Sequence, residues 1–224
     1  MPMSGSRKPG RPPATKADET RKRIVSAARE VFSERGYDGA TFQAIAVRAD
    51  LTRPAINHYF ASKRGLYREV VDQTNELVLR LGAEKAEREE TLIGRLAVFI
   101  TFVLRANFEN TAGSAFLITT IFESQRHPEL NRTENEAIQI CREFLCGAVK
   151  DAIDRGELAF DADVNSLVET LLVVLCGVGF YAGYVRSPKE MDAITETLRQ
   201  LLAGTLLMPK TYGIEARALA RGGQ

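Results

Sequence analysis

The stretch from Thr41 to Phe60, TFQAIAVRADLTRPAINHYF, constrains this chain more than any other. Phe42, Ile45, Ala46 and Ala49 recur at i, i+3, i+4 and i+7, which is one face of a helix. Asp50-Leu51-Thr52 interrupts the pattern, and Ile56, Tyr59 and Phe60 repeat it over a second, shorter helix. Two short helices across such a turn make a helix-turn-helix, whose second helix can enter the major groove of DNA. Asp50 tolerates the left-handed backbone that the turn needs. The Thr52 hydroxyl can accept an orphan N–H, and Pro54 fits a first turn because its missing donor would have no partner there. Pro54 also pushes Arg53 from helical dihedrals, so Thr52 and Arg53 both remain possible caps.

The flanks extend the pattern. Thr15-x-x-Asp18 reads as a capping box opening a first helix, in which Ile24, Ala27, Ala28, Val31 and Phe32 share a face and Gly36 supplies a left-handed stop. Arg21, Lys22 and Arg23 sit in its first turn, where the helix dipole disfavours cations. A DNA phosphate nearby would offset that cost, and a plain solvated face is the competing reading. After Phe60, Ser62 caps a fourth helix carrying Leu66, Val70, Leu77, Val78 and Leu81, with Lys63 beside N–H groups that can hold a phosphate. Charge follows the same division. Residues 1–64 hold 13 Lys+Arg and 6 Asp+Glu, whereas residues 65–224 hold 17 and 23. A basic head on an acidic body suits a polyanion-binding module joined to something with another task.

The run Gly36…Ala40-Thr41…Ile45-Ala46…Ala49…Leu51-Thr52-Arg53…Ile56…Phe60-x-Ser62-Lys63…Leu66 resembles the DNA-binding domain of TetR-family (tetracycline-repressor-like) regulators. The resemblance covers roughly residues 20–70. It departs from the family at Asp50 and Pro54, where Gly is usual, at Asn57, where Tyr is usual, and at Tyr59, where His is usual. It implies Thr41, Thr52, Arg53, Pro54, Asn57, His58, Tyr59 and Lys63 as DNA contacts. It also implies that the fourth helix joins the reading head to the body and carries a signal through its tilt.

The rest of the chain reads as helices. Ala97 to Leu104 is apolar except for Thr101, Ala115 to Phe122 forms another apolar helix, and Pro128 opens one that runs through Ala137, Ile140, Phe144 and Ile153 to Arg155-Gly156. His127 reads as a solvated loop residue. Asp163 or Asn165 starts the most apolar segment, which reaches Val185, and Ser187-Pro188 opens a last helix through Met191, Leu198 and Leu206. Glu169 leaves only Thr170 to Val185 uncharged, short of the ~20 residues of a membrane span. The soluble alternative pairs this segment and the last helix with a second subunit, through Leu172, Leu175, Val178, Gly179, Leu198 and Leu202. Phe99, Phe102, Phe108, Phe116, Phe122, Phe144, Phe180 and Tyr181 supply either an ordinary core or an apolar ligand pocket.

The expected fold is all-α: a basic tail over 1–17, a three-helix helix-turn-helix domain over 18–64, a larger helical ligand-binding and dimerisation domain over 65–208, and a polar tail over 209–224. Cys141, Cys146 and Cys176 are too scattered for a disulfide framework or a zinc site, so no metal, cofactor or oxidising compartment is implied, and no signal peptide is visible. Arg7-Lys8-Pro9-Gly10-Arg11-Pro12 is similar to an AT-hook core or is a solubilising tail. No nucleophile has a base in reach, so an enzyme is not expected. The expected protein is a cytoplasmic regulator, most simply a repressor, that binds a near-palindromic double-stranded operator as a homodimer. A small apolar or amphipathic effector would release it. The competing expectation is a membrane-associated or ligand-carrying helical protein.

Overall fold

The computed structural model describes residues 13–109, 113–131, 135–158, 163–182 and 187–204, excluding the side chains of residues 13–15, 107–109 and 114. The AT-hook-like run and the C-terminal tail therefore lie outside the described residues. Every regular element among those described is helical. The head comprises α1 (Pro13–Gly39), α2 (Phe42–Arg48), α3 (Arg53–Tyr59) and α4 (Lys63–Thr74). A π-helical turn, Asn75–Arg80, continues α4 directly into α5 (Leu81–Ala86). The body is built from α6 (Leu92–Glu109), α7 (Gly113–Arg126), a 3-10 turn Pro128–Leu130, α8 (Glu136–Asp154), α9 (Val164–Ala182) and α10 (Pro188–Leu202).

Local sequence accounts for most boundaries. Thr41, Thr52 and Ser62 cap α2, α3 and α4, their hydroxyls accepting the N–H of Ala44, Ala55 and Gly65 at 3.1, 3.4 and 3.1 Å. Each such cap stabilises its helix by about 0.5–2 kcal/mol. Asp50 has φ 51 in the turn. Three expected starts differ. Helix α1 begins at Pro13, not at the Thr15 box, so residues 13–17 are helical and not tail. Pro128 opens only a 3-10 turn, and α8 is capped by Asn135, whose Oδ1 accepts the Ile138 N–H at 3.2 Å. Of the two candidates for α9, Asp163 is the cap, accepting from the N–H groups of Asn165 and Ser166 at 3.1 and 3.2 Å.

The head's core contains Ile24, Ala28, Val31, Phe32, Ile45, Ile56, Leu66 and Val70, but it is closed by Phe116 of α7 and Leu130. Phe116 is fully buried, 6.4 Å from the ring of Phe32 and 5.7 Å from that of Tyr67. Helix α10 lies along α6 and meets α9 where Met191 packs with Ala182.

Gly36 breaks α1 with φ 68, and a Cβ built there would stand 2.6 Å from Oε1 of Glu123 in α7. Gly156 has a similar φ of 72 but open space around it. Gly156→Ala should therefore cost only the left-handed backbone penalty, about 1–2 kcal/mol, and Gly36→Ala distinctly more. Denaturant unfolding of both variants checks this; equal losses would show that Glu123 moves aside freely.

Candidate functional site

Helix α3 is anchored by Ile56 and Phe60, and at this spacing Arg53, Pro54, Asn57 and His58 fall together on the solvent side, all exposed. Thr41 and Thr52 are exposed as well as capping. Tyr59 is half-buried against the core, with the His58 ring edge-on to it at 5.3 Å. Two of the cations expected at phosphates have intramolecular work. Arg21 pairs with Glu69 at 3.1 Å and lies 4.5 Å over the Phe60 ring, and Arg23 donates to the Asp50 carbonyl at 3.4 Å. Lys22 is exposed. Arg48 fixes α2 to α1 through Glu34 and Glu30, at 2.8 and 2.7 Å.

Lys63 is placed differently from the expectation of a phosphate contact. Its ammonium donates to the carbonyls of Tyr37, Ala40 and Asp38 at 2.8, 3.2 and 3.4 Å and lies 4.4 Å over the Tyr37 ring. Three carbonyls exhaust its three donors, so it satisfies the broken end of α1. The Tyr37 N–H donates to the buried carboxylate of Glu123 at 3.1 Å, and Arg64 donates to the Glu129 carbonyl. His127 is no solvated loop residue. Its Nε2 lies 3.0 Å from Asp38 and 3.7 Å from Glu123, its Nδ1 3.2 Å from Glu129, and its ring 5.4 Å from Tyr37. These contacts join the head to the body.

Inside the body is an apolar cavity of about 70 Å³. Leu79 of the π turn, Phe99 and Ile100 of α6, Leu117 and Ile118 of α7, Ile138 and Cys141 of α8, and Leu175, Cys176, Val178 and Gly179 of α9 line it. Burial, with Cys176 nearby, pushes the Cys141 thiol up to about 12, and burial also raises that of Cys176, so both stay uncharged. Of the aromatics expected in a pocket, only Phe99 lines it. Phe144 stacks behind Phe99 at 4.5 Å and faces an outer cleft, and Phe102 packs over Gly82 under the Lys85 ammonium. Phe116 belongs to the head's core, Phe122 is 49 % exposed, and the Phe108 side chain lies outside the described residues. Phe180 and Tyr181 are 48 % and 53 % exposed. The residues expected at a subunit interface are exchanged with them. Leu172 is buried in the body's core, Leu175, Val178 and Gly179 line the cavity, and Leu198 packs with Met191. Leu202 alone of that set stays at the surface. The exposed side of α9 carries Val173, Gly177, Phe180 and Tyr181 instead. The phase is carried by the first turns of α9, where Asn165, Ser166, Glu169 and Thr170 are exposed and the i, i+4 row from Asn165 and Glu169 runs on through Val173 and Gly177 to Tyr181.

The family model for bacterial regulatory proteins of the tetR family matches residues 24–70, and that for the tetracyclin repressor-like C-terminal domain matches residues 93–198. The chain belongs to the TetR family. It is 25% identical over 193 residues to the HTH-type transcriptional regulator UidR of Escherichia coli (strain K12), covering 86% of this chain and 95% of UidR. It is 26% identical over 194 residues to the HTH-type transcriptional repressor BepR of Brucella suis biovar 1, covering 80% and 88%. The fold is shared with the transcriptional regulator FadR from Bacillus subtilis, solved in complex with stearoyl-CoA, at a TM-score of 0.69 and 19% identity over 82% of this chain and 98% of FadR. This TetR-family chain is thus a DNA-binding transcriptional regulator, and that reading displaces the membrane-surface one. By length and composition Val164–Ala182 could still cross a membrane; here one face of it packs on α7 and α8. All eight candidate DNA contacts lie within the matched 24–70 segment. Leu79 lies between the two matched segments.

Two predictions follow from the head–body joint. Lys63→Met should lower the melting temperature and leave the salt slope of DNA binding near the wild-type value, whereas a phosphate contact would reduce that slope by about one. For His127, partial burial disfavours the imidazolium, but hydrogen bonds and charge from Asp38 and Glu129 outweigh it and raise the pKa. A raised folded-state value gives stability that is present below the ordinary histidine range and fades as pH climbs through the raised one. The melting temperature should therefore fall between about pH 6 and pH 8 in the wild type and fall less in His127→Gln. Parallel slopes would remove His127 from the joint's energetics.

Proposed function

We propose that this protein is a cytoplasmic repressor that binds a near-palindromic operator as a homodimer and is released by a small apolar or amphipathic effector held in the body's cavity. One observation carries the reading. A single continuous helical path, Lys63 to Ala86, runs from beside α3 to the cavity wall at Leu79, so a ligand that tilts it moves the DNA-facing helix. On α3, Arg53 can bind guanine and Asn57 adenine through paired hydrogen bonds, each discriminating by about 1–3 kcal/mol. Thr41, Thr52, Pro54, His58 and Tyr59 surround them. The division into a DNA-binding head over 18–64 and a ligand-binding and dimerising body over 65–208 belongs to the same proposal. The apolar cavity wall, and the stearoyl-CoA held by the B. subtilis FadR of like fold, favour a ligand with a long apolar part.

For the dimer, Val173, Gly177, Phe180 and Tyr181 on α9 and Leu201 and Leu202 on α10 leave an apolar face open, as interaction surfaces do. A second copy over that face would set two α3 helices about one turn of DNA, some 34–36 Å, apart. Selection of bound sites from random duplexes by the full-length protein should return a two-fold symmetric sequence. Arg53→Ala and Asn57→Ala should relax its preference at single positions. Val173→Glu should give a monomer that binds the full site at least about 100-fold more weakly, since one half-site remains. A dimeric Val173→Glu protein that still bound would refute the interface. Any apolar compound that raises the melting temperature should weaken operator binding by the factor by which DNA weakens the compound. Stabilisation without that loss would leave a constitutive DNA-binding dimer.

A further inference from the structure

His127 satisfies all of its contacts in one protonation state, the imidazolium. Its Nδ1 lies 3.2 Å from Glu129, two residues along the same segment of the body. Its Nε2 lies 3.0 Å from Asp38 of α1 and 3.7 Å from the buried Glu123 of α7. A carboxylate brings no proton to such a contact, and a neutral imidazole carries a single N–H. After proton loss, Nδ1–H holds Glu129 while a lone pair faces Asp38 and Glu123, or Nε2–H holds Asp38 while a lone pair faces Glu129. The first arrangement breaks a link between head and body. The second frees the ring from the group that aims it.

The other charged and titratable groups at the joint do not replace that proton. The Tyr37 phenol, 5.4 Å away ring to ring, stays neutral throughout, because burial raises its pKa. Lys63 of α4 spends its donors on the carbonyls of Tyr37, Asp38 and Ala40, and Arg64 donates to the Glu129 carbonyl. Arg68, also of α4, acts on Tyr37 and not on the imidazole. Partial burial of His127 disfavours the charge, but hydrogen bonds and charge from Asp38 and Glu129 outweigh it and raise the pKa. The proton is therefore lost between about pH 6 and pH 8.

We propose that His127 is a proton-operated lock between head and body, and that closing it strengthens DNA binding. A joint held by both links presents α3 in one orientation, whereas a joint with one link must be ordered again when DNA binds, at a cost in affinity. Operator affinity therefore falls as pH rises. Asp38 and Glu129 are 79 % and 57 % exposed, so water screens both links and each joint contributes a factor of only about three. Two joints in a dimer multiply to about ten. The lock rests on the DNA-binding role of the head, and only the size of the effect rests on the proposed homodimer.

Anisotropy titrations of a labelled duplex, selected by the full-length protein, test it at constant ionic strength from pH 6 to pH 8. The wild-type Kd should rise about tenfold, and His127→Gln should hold the weaker value throughout with little slope. His58 on α3 is the chain's other histidine, so His58→Gln is the control and should keep the slope whatever its absolute affinity. A flat wild-type profile, or affinity that rises with pH, would overturn the lock. So would a slope that survives in His127→Gln and vanishes in His58→Gln, which would assign the proton to the DNA-facing surface. A threefold loss that His127→Gln abolishes would support the lock and refute the dimer. Hydrogen exchange of the Tyr37 amide, which donates to Glu123, reads the joint without DNA. Corrected for intrinsic rate, its protection should fall severalfold over the same range in the wild type and stay level in His127→Gln. Constant wild-type protection would overturn the proposal even if no duplex were selected.

Discussion

Phe116 is the side chain on which the arrangement of head and body depends. It stands on α7 but is fully buried in the core of the helix-turn-helix, against Phe32 and Tyr67. Burying one phenylalanine stabilises by about 1.5–3 kcal/mol, and well-disposed aromatic pairs add about 0.5–1.5 kcal/mol. The head therefore has no complete core without α7. Couplings between ligand sites typically amount to about 1–3 kcal/mol. An effector that undocked the head would have to overcome Phe116, Leu130 and the polar contacts beside them, which together exceed that range. Transmission that fits the energetics leaves this contact closed and shifts α4 and α7 together.

The polar contacts around Phe116 give the joint its register. Apolar packing is undirected, whereas Glu123 accepting from the Tyr37 N–H, Lys63 on three carbonyls and His127 between Asp38 and Glu129 admit one alignment. Gly36 makes this possible by turning the chain so that the Tyr37 N–H points at Glu123 with no Cβ in between. Removing Glu123 strands the part-buried Tyr37 N–H and removing Lys63 strands carbonyls at the broken end of α1, whereas Asp38 and Glu129 beside His127 stay open to water, so a few hydrogen bonds specify geometry without dominating the total energy.

The legible parts of the fold were those encoded within a dozen residues. The cap Ser62, the left-handed Asp50 and the i, i+3, i+4 faces of the head need only local geometry, and α2, α3 and α4 stand where those signals put them, with Thr52 and not Arg53 as the cap of α3. What failed was decided by distant partners. Phe116 has the same neighbours in sequence as a pocket residue would, and only the tertiary fold assigns it to the head. Lys63 has a phosphate-binding context, yet Tyr37, Asp38 and Ala40, more than twenty positions away, reach it first. Asn135 outcompetes Pro128 as the start of α8 because an Asn side chain supplies an acceptor and a proline cannot. On α9 the two faces were exchanged. Its exposed polar first turns, Asn165, Ser166, Glu169 and Thr170, mark the open side, and on the other side Ile118 packs close, its Cδ1 3.3 Å from where a Cβ on Gly179 would be.

That choice of phase has a mechanical consequence. Leu175, Cys176, Val178 and Gly179 face the cavity, while Val173, Gly177, Phe180 and Tyr181 lie on the opposite, open side of the same helix. Whatever fills the cavity therefore presses on the back of the face proposed for the partner subunit. The opposite wall contains Leu79, in the turn where the Lys63–Ala86 path departs from α-helical hydrogen bonding. Helices kink at π turns, so this is where the path bends most readily. Helix α4 itself is held against α1 and α7 by Leu66, Tyr67 and Val70 and moves as one piece with the head. The cavity thus lies between the stiff helix facing the proposed partner and the most compliant turn of the helix leading to the DNA-facing surface. A ligand of the proposed kind that enlarged the cavity would therefore strain the turn at Leu79 before the face proposed for the partner subunit.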